Sequence, residues 1–189
     1  GMRSPTGEIA RLLHAHDAYA CFDYAASAPY VEIDMNPAPD AEGGDASYDA
    51  VFLSPHKFLG GPGSSGVLVF NERLYSGDLP PSVAGGGTVD YVSPLDQDFI
   101  ADIEEREKAG TPGVLQTMKA ALAMDLKQKV GVERIEAREH ELLHRAMQQW
   151  SANERFELLG NADPARRIGI VSFNLRDARG RYLHPKFVT

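Results

Sequence analysis

The sequence is poor in cysteine, in long apolar runs and in surplus positive charge. Cys21 is the single cysteine in 189 residues, so neither an intrachain disulfide framework nor a cysteine-rich zinc site can form. A reducing compartment, the cytoplasm, is the natural reading. No apolar run approaches the roughly 20 residues a membrane helix needs, and the N-terminus lacks the basic and apolar regions of a signal peptide. That predicts a soluble chain with no membrane partner. Lys and Arg number 19 against 27 Asp and Glu, for a net charge of -8, the wrong sign for a phosphate backbone. With no local basic patch, nucleic acid is not an expected partner. What is present is 43% hydrophobic side chains, enough to bury the core of one domain or one and a half.

Ser4-Pro5-Thr6-Gly7 is turn chemistry, and Ile9, Leu12 and Leu13 at helical spacing predict a helix over Glu8 to His16. Tyr19 to Phe22 reads as a buried strand with Asp23 at its C-terminal end, and Cys21 inside it as a buried, inert thiol. Tyr48 to Leu53 repeats the pattern. It runs into Ser54-Pro55-His56-Lys57, then Gly60-Gly61-Pro62-Gly63 loops back to a third strand over Gly66 to Phe70. Ser76 to Pro94 is rich in Gly, Pro and Ser and reads as loop, with Gly85-Gly86-Gly87-Thr88 at its centre.

After Gly110-Thr111-Pro112-Gly113 the spacing predicts a long helix over Val114 to Val130, a stop at Gly131 and a second helix over Val132 to Trp150. Phe156 to Leu159 and Ile168 to Leu175 read as strands, and Leu183 to Thr189 as an element leading further into a small domain. Helices alternating with short buried strands in the first half argue for an α/β sheet with ligands at the strands' C-terminal ends.

Asp23 and Lys57 each follow such a strand, and one sheet brings both to one crevice. A lysine beside Ser54, His56 and a glycine-rich loop is an unusual place for a strongly hydrated cation and suggests a Schiff base. Pyridoxal phosphate needs an amine for its aldehyde, a carboxylate for its pyridine nitrogen and donors for its phosphate. Lys57, Asp23 and the pair Ser54 and His56 supply these in turn. Taken one at a time they have bland readings: a solvated loop lysine, a helix cap at Asp23, a tight turn at Gly60 to Gly63. The histidines elsewhere carry less. His14 and His16 are two apart on a helix and read as surface residues. His140 and His144, at i and i+4 on a charged helix, lack the zinc-enzyme glutamate pattern and read as a solvated face.

The run from Tyr48 through Lys57 to Gly63 resembles the lysine motif of the class V aminotransferase and cysteine desulfurase family, and Phe22-Asp23-Tyr24-Ala25-Ala26 is similar to the strand whose aspartate meets the pyridine nitrogen. The resemblance implies pyridoxal 5'-phosphate as cofactor, with Lys57 as catalytic residue forming the internal aldimine and Ser54 and His56 on the phosphate. Ala109-Gly110-Thr111-Pro112 is similar to a motif whose threonine reaches the phosphate across a dimer interface, so Thr111 is expected to serve the partner's site in a homodimer. Many members carry glutamine where this chain has Ala26. The implied fold is part of the large domain of a fold-type I transferase, a mostly parallel sheet with helices, plus the start of a smaller α+β domain. Residues 1–113 are expected to form the second half of the cofactor-binding domain, and 114–189 the long helices and the start of the small domain. The chain resembles a central fragment, since family members have a longer N-terminal half.

The implied activity is a transferase or lyase reaction on an amino acid, with desulfurase or selenocysteine lyase chemistry ahead of transamination. The competing expectation is a catalytically silent piece that folds and self-associates without cofactor.

Overall fold

The structure, a computed structural model, describes residues 1–39, 41 and 43–188; of the expected C-terminal element, Thr189 lies outside the described residues. Helix α1 (Thr6–His14) starts at the predicted turn, with Pro5 as its N-cap and Ala10 buried beneath it. It feeds β1 (Cys21–Asp23), which pairs in parallel with β2 (Ala50–Leu53) in the register Cys21 to Ala50, Phe22 to Val51 and Asp23 to Phe52. β3 (Val67–Phe70) runs antiparallel along the other side of β2. The sheet is therefore mixed, in the order β1-β2-β3, and its two parallel strands finish at one edge.

The segment from Ser76 to Pro94, expected as loop, contains β4 (Val89–Val92), paired antiparallel with β5 (Gln97–Phe99). The turn between them explains the difference: Ser93 Oγ accepts the amides of Leu95 at 3.2 Å and Asp96 at 2.9 Å, so the Ser and Pro that mark a loop here close a hairpin. Helix α2 (Ile103–Arg106) is capped by Asp102, whose carboxylate accepts the Glu105 amide. Helices α3 (Val114–Val130) and α4 (Val132–Ser151) meet at Gly131, whose φ of 90° no side chain adopts cheaply. β6 (Phe156–Leu158) and β7 (Phe173–Leu175) form a second antiparallel pair, and α5 (Pro185–Val188) ends the described chain. Residues 168–172, expected as the start of the last strand, are not strand.

Two buried clusters hold the first half together. Ala10, Ala20, Tyr48 and Val51 pack beneath α1, and Ala28, Phe58 and Ala123 join the ends of β1 and β2 to α3. Burying a side chain the size of Val51 or Phe58 contributes about 1.5–3 kcal/mol. In the second half, Trp150, Phe156 and Phe173 form an aromatic group with centroids 5.1 to 6.2 Å apart.

At the N-terminal ends of β1 and β2 lies a buried charge. Asp49 is fully buried and accepts from Ala20 N at 2.7 Å, His14 Nε2 at 2.9 Å and Arg73 Nε at 2.8 Å. His14 also bonds the Asp45 carbonyl at 3.0 Å. It is thus not the surface histidine its position in the helix suggested, because the carboxylate at the start of β2 draws it inward. Burial alone would raise the Asp49 carboxyl, but His14, the Ala20 amide and Arg73 together hold it below its usual range. His14 in turn is raised, first by its hydrogen bond to Asp49 and against the opposing effect of burial.

Candidate active site

The motif residues sit where the parallel strands end. The ladder continues one step past β1, with Tyr24 N donating to Phe52 O at 3.0 Å, so the chain leaves both strands at the same level. After β2, Ser54 caps a single 3-10 turn over Pro55–Lys57, with Pro55 buried in its first turn. Lys57 N donates to Ser54 O at 2.9 Å and Phe58 N to Pro55 O at 3.0 Å. Pro55 and Phe58 point inward while His56 and Lys57 are exposed, a division a one-turn helix makes by its own periodicity. The glycines that follow are sterically required. A Cβ on Gly61 would stand 1.8 Å from the Pro55 carbonyl oxygen, and Gly63 holds φ at 85°.

Asp23 faces the same edge from β1 and is exposed. Its Oδ1 accepts the Ala25 amide at 2.7 Å, which fixes the carboxylate and leaves Oδ2 without a partner among the described residues. Asp23 lines a cavity of about 870 Å³ shared with Ser4, Thr6, Cys21, Tyr24 and Ser27. Ser54, His56 and Lys57 do not line it. They follow β2, the strand paired with β1, and none of their side chains bonds another described residue. Thr111 is exposed in the loop before α3, with no hydrogen bond or ion pair to the other four.

Two features of this cavity depart from the sequence reading. Cys21 is exposed rather than buried. β1 is an edge strand, and Cys21 lies two residues before Asp23, so strand alternation turns both to one face. The missed feature is a hydroxyl cluster: Thr6 Oγ1 lies 2.7 Å from Tyr48 OH, and Tyr24 OH donates to Tyr48 OH at 3.3 Å. Burial, with the neighbouring Tyr48, pushes Tyr24 up to about 12 against the Thr6 bond, so it stays a neutral donor. The cluster's pairs are 42 and 24 positions apart, so no local pattern in the sequence signalled it.

The profile of the aminotransferase class-V family matches residues 1–185. A probable cysteine desulfurase of Halalkalibacterium halodurans is 30% identical over 185 residues, 98% of this chain and 41% of the relative. One from Staphylococcus aureus strain Mu50 is 34% identical over 170 residues, 90% of this chain and 37% of the relative. The chain therefore spans about two fifths of the length of the curated relatives it matches. Among solved structures, an apo cysteine desulfurase from Thermococcus onnurineus NA1 superposes with a TM-score of 0.81 at 26% identity, covering 100% of this chain and 43% of that one. A cysteine desulfurase of Escherichia coli, at 18% identity, shares the fold with a TM-score of 0.72 over 90% of this chain and 39% of that one. The α/β unit with its mixed sheet is part of a fold-type I pyridoxal-phosphate enzyme fold.

Proposed function

Because this chain belongs to the class V aminotransferase family, whose members are pyridoxal-phosphate enzymes, we propose that the whole protein acts on an amino acid, with cysteine or a close analogue as substrate. The carrying observation is the Ser54–Lys57 turn at the same strand edge as Asp23. The donor set there fits pyridoxal 5'-phosphate. Lys57 presents a primary amine that makes no ion pair with any described residue. Asp23 presents one carboxylate oxygen that no described residue bonds, with the other pinned by Ala25 N–H. Ser54 and His56 add a hydroxyl and an imidazole that no described residue occupies.

Lys57 would hold the cofactor through its amine, Asp23 its ring nitrogen, and Ser54 and His56 its phosphate. When bound, the cofactor supplies an electron sink for bonds at the substrate's α-carbon. Lys57 Nζ moves the proton at that α-carbon as general base. Asp23 Oδ2 keeps the proton on the ring nitrogen, and its fixed Oδ1 keeps the carboxylate from turning away. Thr111, exposed ahead of α3, would reach the phosphate of a second subunit in a homodimer. Desulfuration is favoured over transamination because the relatives reported above are desulfurases or probable desulfurases by name.

The test is an absorption spectrum of the purified chain with pyridoxal phosphate, before and after borohydride, with mass analysis of the reduced peptide. A visible band and a label on Lys57 support the reading. Labels scattered over surface lysines, or none, sink it. Asp23→Ala is expected to weaken turnover more than cofactor retention in the whole protein, and equal turnover would remove Asp23 from the role.

One observation favours a second reading, a silent chain that self-associates. Its surface is 13120 Å², against roughly 8,900 Å² for a compact monomer of 20.6 kDa. Leu115, Met118 and Leu122 are 56 to 77% exposed along one face of α3. Such a chain gives a concentration-dependent mass by sedimentation together with an empty spectrum.

A further inference from the structure

Lys127 carries the most unusual bonding of any lysine among the described residues. It lies near the C-terminal end of α3, where a lysine ordinarily reaches water or its own helix's last carbonyls. Here Nζ leaves the helix and donates to two carbonyls of another element, Ala28 O at 2.7 Å and Val31 O at 2.6 Å. Ala28 and Val31 belong to the turn that continues β1 past Asp23. Within that turn Ala28 N donates to Tyr24 O and Val31 N to Ser27 O, so its final carbonyls point onward without intraturn partners, like those at a helix C-terminus. The same ammonium lies 5.8 Å from the centroid of the Phe58 ring, and Phe58 directly follows Lys57. Ala28, Phe58 and Ala123 of α3 share one buried cluster. One cation thus touches the segment after Asp23 and the residue after Lys57. It has no ion-pair partner among the described residues, and burial pushes it below the usual lysine value.

We propose that Lys127 is a positioning residue: its ammonium clamps the turn after Asp23 against the turn that carries Lys57, and so sets the two groups at the distance their shared ligand requires. The inference rests on the reading of Asp23 and Lys57 as the cofactor's ring and aldehyde partners. Parallel pairing brings the strand ends together but leaves the residues beyond them to loops. Loops held by few bonds open at little cost. Two charge-assisted bonds into one loop and a ring contact to the other turn give a single link between both. The hydrophobic cluster alone does not direct these turns, because apolar contacts have no fixed geometry whereas bonds to two carbonyls do.

The test uses this chain and two variants, Lys127→Met, which keeps the apolar stem without the ammonium, and Lys127→Gln, which keeps a neutral N–H donor group. The first readout is hydrogen exchange at Ala28, Val31 and Phe58, each protected by a turn bond. In Lys127→Met all three are expected to exchange about tenfold faster, together, while the α3 amides before Lys127 keep wild-type rates. Lys127→Gln is expected to fall between, and it decides the matter should the Met variant not fold. The second readout is borohydride labelling with pyridoxal phosphate: label on Lys57 drops about fivefold in the Met variant while label on the exposed Lys186, in α5, is unchanged. Unaltered exchange, or acceleration in one turn without the other, overturns the clamp. Joint acceleration with undiminished Lys57 label overturns the positioning role. A wild-type chain that takes no label at Lys57 rejects the cofactor reading instead, and the exchange data still decide whether the two turns are linked.

Discussion

The two ends of β1 and β2 treat charge in opposite ways. At the N-terminal end Asp49 has no exposed surface and is met by a backbone amide, an imidazole and a guanidinium. At the C-terminal end Asp23, His56 and Lys57 are exposed, and among the described residues only one oxygen of Asp23 is bonded. The first arrangement satisfies a buried carboxylate so fully that nothing remains to bind a ligand. The second leaves its donors and acceptors open, at little cost because water solvates them. Titratable groups at the two ends of β2, Asp49 before it and His56 and Lys57 seven and eight positions on, therefore do structural work at one end and are available for chemistry at the other.

The sharpest way to break this contrast is Asp49→Ala. Removing the carboxylate strands the His14 ring and the buried Ala20 amide, and a loss of about 3–5 kcal/mol is expected, as for other broken buried charge networks. Denaturant unfolding measures it, and a loss under about 1 kcal/mol would mean that Asp49 is no more structural than a surface carboxylate. Gly61→Ala comes next. Its Cβ meets the Pro55 carbonyl at 1.8 Å, so the turn must shift, at about 1–3 kcal/mol. Here the loss should be accompanied by a weaker Lys57 label, and wild-type labelling would show that the turn's shape does not matter.

The buried end also titrates, with a smaller effect on stability. His14 is raised above its ordinary 6.5, so its contribution is complete below that value and fades as pH rises through the raised one. Asp49 lies below its ordinary 3.8, so its contribution is complete above that value and is lost as pH falls through the lowered one. Stability should therefore decline on either side of an interval running from about pH 4 to about pH 6.5. His14→Gln should abolish the alkaline decline alone, and an unchanged slope in melting temperatures above pH 6.5 would contradict the assignment. The smallest effect is expected at the open end. Lys57→Ala should leave stability within about 0.5 kcal/mol while removing the borohydride label, and marked destabilisation would mean that Lys57 supports the fold.

Much of this was legible in the residues. Helix α3 occupies its predicted span because Gly113 and Gly131 bracket an uninterrupted run of helix formers, and β1 to β3 lie inside the apolar runs that proposed them. The Ser54–Lys57 turn was legible because proline and glycine restrict the backbone locally. Less was readable where the deciding partner is distant. The inward turn of His14 depends on Asp49, 35 positions on. The exposure of Cys21 depends on which strands flank β1. The hairpin of β4 and β5 depends on a pairing that its Ser- and Pro-rich turn disguises.

Residue type and local spacing were enough to read the family, the kind of chemistry its motif can hold and the positions of the long elements. The folded chain was needed to show that the strands ending in Asp23 and leading to Lys57 finish at one edge, that Asp49 is buried and satisfied, and that Lys127 spans 96 and 99 positions to two carbonyls of the Asp23 turn. The physical reason is that hydrogen bonds and burial are properties of pairs in space, and a linear pattern records only one member of each pair.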